Sequence, residues 1–153
     1  MDALNTKVPP LALLAIFMLV NFLLHQQLAA ARSEHLGWTL AAATLLILGI
    51  VCCVAGVLSF RRAHTTVDPR TPADCSALVS SGIYRYTRNP MYVGFSLILL
   101  AQSLYLQSLI GLVVTLLFMA YLQRFQIKPE EHALHQLFGN EFTQYCQRVR
   151  RWL

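Results

Sequence analysis

The sequence predicts an all-α fold, a multi-pass transmembrane bundle of about four spans, and three observations lead there. The 153 residues are 56% apolar and only 12% charged, whereas an ordinary soluble domain is about one quarter charged. The apolar residues gather in runs long enough to compare with the roughly 20 helical residues that cross about 30 Å of hydrocarbon. The basic residues, which give a formal net charge of +5, fall in the gaps between those runs. Four spans with their loops nearly exhaust the chain, so residues 1–153 read as one integral membrane domain whose chemistry sits in loops and helix ends.

The first run, Val8 to Leu24, opens with Pro9-Pro10. Proline suits a helix start because the N–H it lacks has no partner in a first turn anyway. A span over about 9–28 is expected. A cleaved signal peptide is the lesser reading: Ala29-Ala30-Ala31 resembles a cleavage site, but only Lys7 against Asp2 precedes the run. The second run, Leu36 to Phe60, holds no charge and carries Gly37, Gly49, Gly56 and Ala41 to Ala43, small residues that let a neighbouring helix approach. It predicts a span over about 36–60.

From Met91 to Ile127 only Arg124 is charged. As one helix those 37 residues would reach about 55 Å, so the run must fold back on itself. Gln107-Ser108 is the polar interruption near its middle, which places spans at about 91–106 and 109–126. Both are short for a bilayer, and tilt, thinning or burial among neighbours follows.

With four spans, Lys7, the cluster Arg61, Arg62, Arg70, Arg85 and Arg88, and the cluster Arg124, Lys128, Arg148, Arg150 and Arg151 share one side, leaving only Arg32 opposite. The positive-inside rule makes that side cytoplasmic, with both termini, in what reads as the inner membrane. Beyond Lys128, a cap over 128–153 is expected: Leu134, Leu137, Phe138, Phe142, Tyr145, Cys146, Val149 and Trp152 recur at helical spacing. Gly139-Asn140 divides it into two short helices at an angle. An apolar stripe beside Arg148, Arg150 and Arg151 suits the membrane interface or a lid on the bundle's mouth. Its partner is the anionic lipid surface rather than nucleic acid.

Cys52, Cys53, Cys75 and Cys146 lack the Cys-x-x-Cys spacing of metal or redox sites and read as small apolar residues or free thiols. The five histidines lack the His-Glu-x-x-His pattern. The densest polar information lies at the end of the loop 61–90, in Ser80-Ser81-Gly82-Ile83-Tyr84-Arg85-Tyr86-Thr87-Arg88-Asn89-Pro90-Met91-Tyr92. Arg88 and Asn89 precede a proline-started helix, whose unpaired N–H groups and dipole favour a carboxylate or other polar ligand group. On chemistry alone an Arg there is more often a lipid anchor than a ligand clamp, Glu130-Glu131 after Lys128-Pro129 more often partners of a helix dipole, and the tyrosines equally an interfacial belt.

The order Gly82-x-Tyr84, Arg88-Asn89-Pro90-Met91-Tyr92-x-Gly94, an apolar hairpin, Glu130-Glu131 and Phe138-Gly139-x-Glu141-Phe142-x-x-Tyr145 resembles the isoprenylcysteine carboxyl methyltransferase family and its phospholipid methyltransferase relatives. The likeness runs from about Thr66 to Trp152. It implies methyl transfer from S-adenosyl-L-methionine in a pocket unlike that of soluble methyltransferases, and the chain has no Gly-x-Gly-x-x-Gly loop. By resemblance, Ser76, Ala77, Leu78, Val79 and Tyr84 line the cofactor, Arg88, Asn89, Pro90, Met91 and Tyr92 form the box at the next helix start, and Glu130 binds the cofactor. Asn89 stands where the eukaryotic pattern has His. The family's substrate-side Arg falls on Gln126, which leaves Arg124 or Lys128 as its replacement, and Arg124 and Glu131 are the candidate catalytic groups.

The expected activity is therefore an integral-membrane methyltransferase acting on a lipophilic or small acceptor: a carboxylate, a thiol or a lipid amine. The donor carries its own leaving group, so alignment and water exclusion are the protein's main tasks. A lipid ammonium acceptor would also have to lose a proton, to Glu131 or through water. Two other readings are an NADPH-dependent membrane reductase similar to sterol reductases, and a non-catalytic lipid-binding membrane protein.

Overall fold

A computed structural model describes residues 8–28, 36–63 and 78–153. Among them the regular structure is entirely helical: α1 (Pro10–Leu28), α2 (Leu36–Arg62), α3 (Pro90–Tyr105), α4 (Leu109–Leu122) and α5 (Lys128–Arg148), with a 3-10 turn at Gly82–Arg85 and a π-helical turn at Gln123–Ile127. Ser76, Ala77 and Cys75 lie outside the described residues.

The spans alternate in direction. Asn21 of α1 bonds to Gln102 and Ser103 near the end of α3, while Val8 before α1 meets Gln126 beyond α4. Gly56 near the end of α2 lies against Met91 at the start of α3. One end of the bundle thus carries the α2–α3 junction and the α4–α5 junction together, and the other carries the reversal between α3 and α4. That reversal occupies Leu106 to Ser108, with Gln107 at φ 52° and the Ser108 hydroxyl accepting from the Gly111 N–H.

Leu13 and Leu14 of α1, Tyr92 and Leu99 of α3, and Val114, Phe118, Leu122 and Ile127 of the α4 side form one buried cluster, with Trp152 packed against its edge. The outward faces of α1, α2 and α4 stay apolar, as at Leu19, Ile47, Val51 and Leu116, which suits helices bathed in lipid. Alpha-2 leans on α3 through glycines. A Cβ at Gly94 would meet the Gly49 carbonyl oxygen at 2.6 Å and collide with the Cys53 sulfur, whereas one at Gly37 would meet nothing within 4 Å. Gly94→Leu is expected to destabilise the detergent-solubilised protein by about 1–3 kcal/mol through forced separation of the two helices. Gly37→Leu serves as the reference in thermal unfolding, and equal effects would contradict a close-packed seam.

Between α4 and α5 the chain departs from expectation. No loop separates the fourth span from the cap; one helical path runs from Leu109 to Arg148. Pro129 would ordinarily break such a helix by losing a bond and crowding the carbonyl four residues back. Here the helix widens just before it, and the Lys128 N–H reaches the Gln123 carbonyl, five residues back, so the ladder continues. Forty residues measure about 60 Å, twice the hydrocarbon thickness, and charge begins in earnest at Lys128, so by composition the apolar part of this path is α4 with the π turn. Alpha-5 then bends at Gly139, whose φ of 48° an L side chain rarely adopts. Beyond the bend, Phe142, Tyr145 and Val149 close over Leu78, Leu134 and Phe138.

Candidate functional site

The segment before α3 enters through Gly82, at φ 61° and so near α2 that a Cβ there would press to 2.8 Å from the Ser59 hydroxyl. The 3-10 turn that follows drives Tyr84 inward, edge-on to Phe60 of α2 with ring centroids 5.4 Å apart. The Tyr145 hydroxyl donates to the Tyr84 carbonyl at 2.7 Å, fixing the turn to α5.

Thr87, Arg88 and Asn89 tie the same segment to the chain's end. The Arg88 N–H donates to the Arg150 carbonyl at 3.0 Å, and its guanidinium donates to the Val149 and Cys146 carbonyls at 2.7 and 3.2 Å. Asn89 Nδ2 and Thr87 Oγ1 both donate to the Arg151 carbonyl, at 2.9 and 3.3 Å. Glu131 stands between two cations: Arg88 Nη2 lies 2.7 Å from one oxygen and Arg151 Nη2 2.6 Å from the other. Burial acts to raise the Glu131 carboxyl, but the hydrogen bonds and charges of Arg151 and Arg88 outweigh it and hold its pKa below the ordinary value. Glu131 is therefore an anion throughout the physiological range.

Glu130, one residue earlier, points elsewhere and behaves oppositely. Tyr92, buried at the first turn of α3, donates its hydroxyl to Glu130 Oε1 at 2.5 Å. Burial pushes the Glu130 carboxyl up to about 8 against the lowering effect of that hydrogen bond, with the Glu131 charge adding to the rise. Burial also raises the Tyr84 phenol, with the nearby Tyr145 and Glu130 contributing, so Tyr84, Tyr92 and Glu130 share one electrostatic neighbourhood. Two adjacent carboxylates thus occupy different worlds, one salt-bridged and one desolvated.

The expected site residues divide accordingly. Tyr84, Tyr92 and Glu130 converge, and Asn89, Pro90 and Met91 shape the helix start beside them. Val79 is buried and Leu78 packs on the Phe142–Tyr145 cluster; Ser76 and Ala77 lie outside the described residues. Arg88, expected to face a ligand, donates its guanidinium to Glu131 and to the Cys146 and Val149 carbonyls. Glu131, expected as a proton acceptor, is occupied by the two arginines. Arg124 is exposed, its guanidinium 5.7 Å from the Phe125 ring centre, and no described contact joins it to Glu130 or Tyr92. Gln126 is fully buried, its amide donating to the Val8 carbonyl at 2.8 Å while its own oxygen has no partner among the described residues.

Arg151, Tyr145 and Trp152 escape sequence reasoning as parts of the site. Trp152 Nε1 donates to Gln123 Oε1 at 3.0 Å, holding the chain's end against the π turn. Nothing in local spacing signals these roles, since each bond closes across at least 20 residues.

A phospholipid methyltransferase family model matches residues 38–141. The chain belongs to the phospholipid methyltransferase family. An uncharacterised protein of Haemophilus influenzae is 41% identical over 63 residues, which cover 41% of this chain and all of that protein. Protein-S-isoprenylcysteine O-methyltransferase B of Arabidopsis thaliana is 29% identical over 109 residues, 69% of this chain and 54% of that one. The Schizosaccharomyces pombe protein-S-isoprenylcysteine O-methyltransferase is 39% identical over 75 residues, 47% and 30% of the respective chains. This family member thus spans about half the length of the Arabidopsis relative it matches. No solved structure matches it. The matched stretch takes in α3, the π turn and Glu130, so this phospholipid methyltransferase family protein carries its Tyr92–Glu130 pair inside the shared region.

Proposed function

We propose that this chain is an integral-membrane methyltransferase that uses S-adenosyl-L-methionine and delivers the methyl group to a lipophilic or small acceptor entering between the helices. The convergence of Tyr84, Tyr92 and Glu130 at the basic end of the bundle carries the reading. The family relationship supports it, and the basic residues support a cytoplasmic placement of that end. The single domain, the inner membrane and the site assignments belong to the same proposal.

The cluster suits a cationic ligand in its chemistry. It offers a desolvated carboxyl and two tyrosine rings, and the neighbouring guanidiniums of Arg88 and Arg151 are turned onto Glu131, so no described cation opposes a sulfonium there. When bound, S-adenosylmethionine supplies a methyl group on a positively charged sulfur. Glu130 would hold a cationic or hydroxyl group of that ligand, and an aromatic face against its charge contributes about 0.5–2 kcal/mol. Tyr92 orients Glu130 through its hydroxyl. Arg88 and Glu131 are positioning residues: they fasten the α3 entry to the chain's end, which closes the site against water. No described contact joins Arg124 to this cluster, and its substrate-side role stays part of the proposal.

The test is a titration of detergent-purified protein with S-adenosylmethionine, with NADPH as competitor, followed by labelled methyl transfer into membrane extracts. Saturable binding that NADPH does not displace, with label appearing in an extractable acceptor, is expected. Binding of NADPH alone would favour the reductase, and binding of neither would remove the enzymatic reading.

A further inference from the structure

Apart from the Tyr92–Glu130 cluster, one cleft of about 280 Å³ lies between the segment entering the 3-10 turn and the last turn of α5, lined by Ser80, Arg85, Tyr145, Arg148 and Val149. Among the described residues its charge is of one sign: two guanidiniums and two hydroxyls line it, and no described carboxylate does.

Neither guanidinium is neutralised by a described residue. Among the described residues Arg85 makes no hydrogen bond or ion pair, and Arg148 makes one bond, from Nε to the Gln144 carbonyl in its own helix at 3.3 Å. The acids nearest in the sequence are Glu141, seven residues before Arg148 and in no ion pair with it, and Asp74, which lies outside the described residues; Arg88 and Arg151 occupy both oxygens of Glu131. The Tyr145 hydroxyl has given its hydrogen to the Tyr84 carbonyl, and the adjoining Val149 carbonyl already accepts from Arg88. Two like charges drawn into one concavity repel each other, and an anion between them reverses the sign of that interaction.

Depth narrows the ligand. Gly82 abuts Ser59, three residues before α2 ends at Arg61 and Arg62, so the cleft lies level with the end of a span, where headgroups meet water. Planar guanidiniums match the paired oxygens of a phosphate, and a Ser hydroxyl adds a third donor. We infer that the Arg85–Arg148 cleft is a phosphate-binding site, separate from the Tyr92–Glu130 cluster, that takes the phosphate group of a membrane lipid or of a free phosphate ester.

Two probes distinguish the sources. Native mass spectrometry of the detergent-purified protein with phosphatidylglycerol, against diacylglycerol as the phosphate-free control, reads lipid retention; a thermal-shift titration with inorganic phosphate reads the free anion. The Arg85→Gln/Arg148→Gln double variant is expected to lose at least tenfold in affinity, while Arg62→Gln, an exposed arginine at the end of α2, stays within twofold. Retention of phosphatidylglycerol assigns a headgroup, and a shift with inorganic phosphate alone assigns a free ester; either sustains the site. The inference is overturned if neither probe binds, if the double variant binds like the unmodified protein, if Arg62→Gln loses as much, or if S-adenosylhomocysteine displaces the probe. Both cleft arginines are surface side chains outside the buried clusters, so the variants are expected to keep the parent's melting temperature, measured alongside.

Discussion

Replacing Glu130 with glutamine is expected to weaken S-adenosylmethionine binding at least tenfold at pH 8 and to flatten its dependence on pH. In the unliganded protein burial sets the Glu130 pKa at about 8, so at pH 7 the carboxyl is mostly protonated. A cationic ligand favours the carboxylate, so binding near pH 7 must expel about one proton, and apparent affinity rises from pH 6 toward a plateau above pH 8. Isothermal titration in two buffers of different ionisation enthalpy measures that proton directly. No proton release, or an affinity that falls with rising pH, would separate Glu130 from the ligand.

The same residue acts on stability in the opposite sense. Its pKa in the fold lies above the ordinary carboxyl value, so its contribution is fully present below pH 4.5, declines as pH rises, and is lost above pH 8. The unmodified protein is expected to lose stability relative to Glu130→Gln by up to about 1.4 kcal/mol for each pH unit across that window. Thermal unfolding of both proteins in detergent between pH 5 and 8.5 checks the sign.

The second large effect is mechanical. Glu131→Gln is expected to destabilise the protein by about 3 kcal/mol, and Arg88→Met by at least as much, because each leaves partly buried opposite charges without a partner. Arg88→Met also strips donors from the Cys146 and Val149 carbonyls. A double-mutant cycle over Arg88 and Glu131 should return a coupling of about 2 kcal/mol or more. If Glu131 were instead a catalytic base, Glu131→Gln would lower the rate and leave unfolding unchanged.

These two acids show where sequence reasoning reaches and where it stops. The helical class, the reversal at Gln107-Ser108 and the bend at Gly139 were legible because each has a local cause: apolar length, a polar interruption, a glycine. The pairing of Tyr92 with Glu130 was legible only as a resemblance, since 38 residues and two helices separate them. The opposed fates of Glu130 and Glu131 were not legible. Adjacent side chains on a helix point about 100° apart, and which one meets Arg88 depends on where the C-terminal segment 149–152 lies. Arg151 looked like one more interfacial cation for the same reason. The unbroken passage from α4 into α5 was hidden by Pro129, whose usual consequence is cancelled by a change of hydrogen-bond step that apolar periodicity does not record.

That change of step has a consequence for the chain's tolerance of length. The turn at Gln123–Ile127 puts one residue more between successive rungs than the helix on either side, so α4 and α5 are out of phase by about one residue's rotation, roughly 100°. Deleting any single position there would restore the phase and swing Glu130 away from Tyr92 with neither residue altered. In this protein the spacing of the junction, as much as the identity of the acid, determines which of two neighbouring carboxyls faces inward.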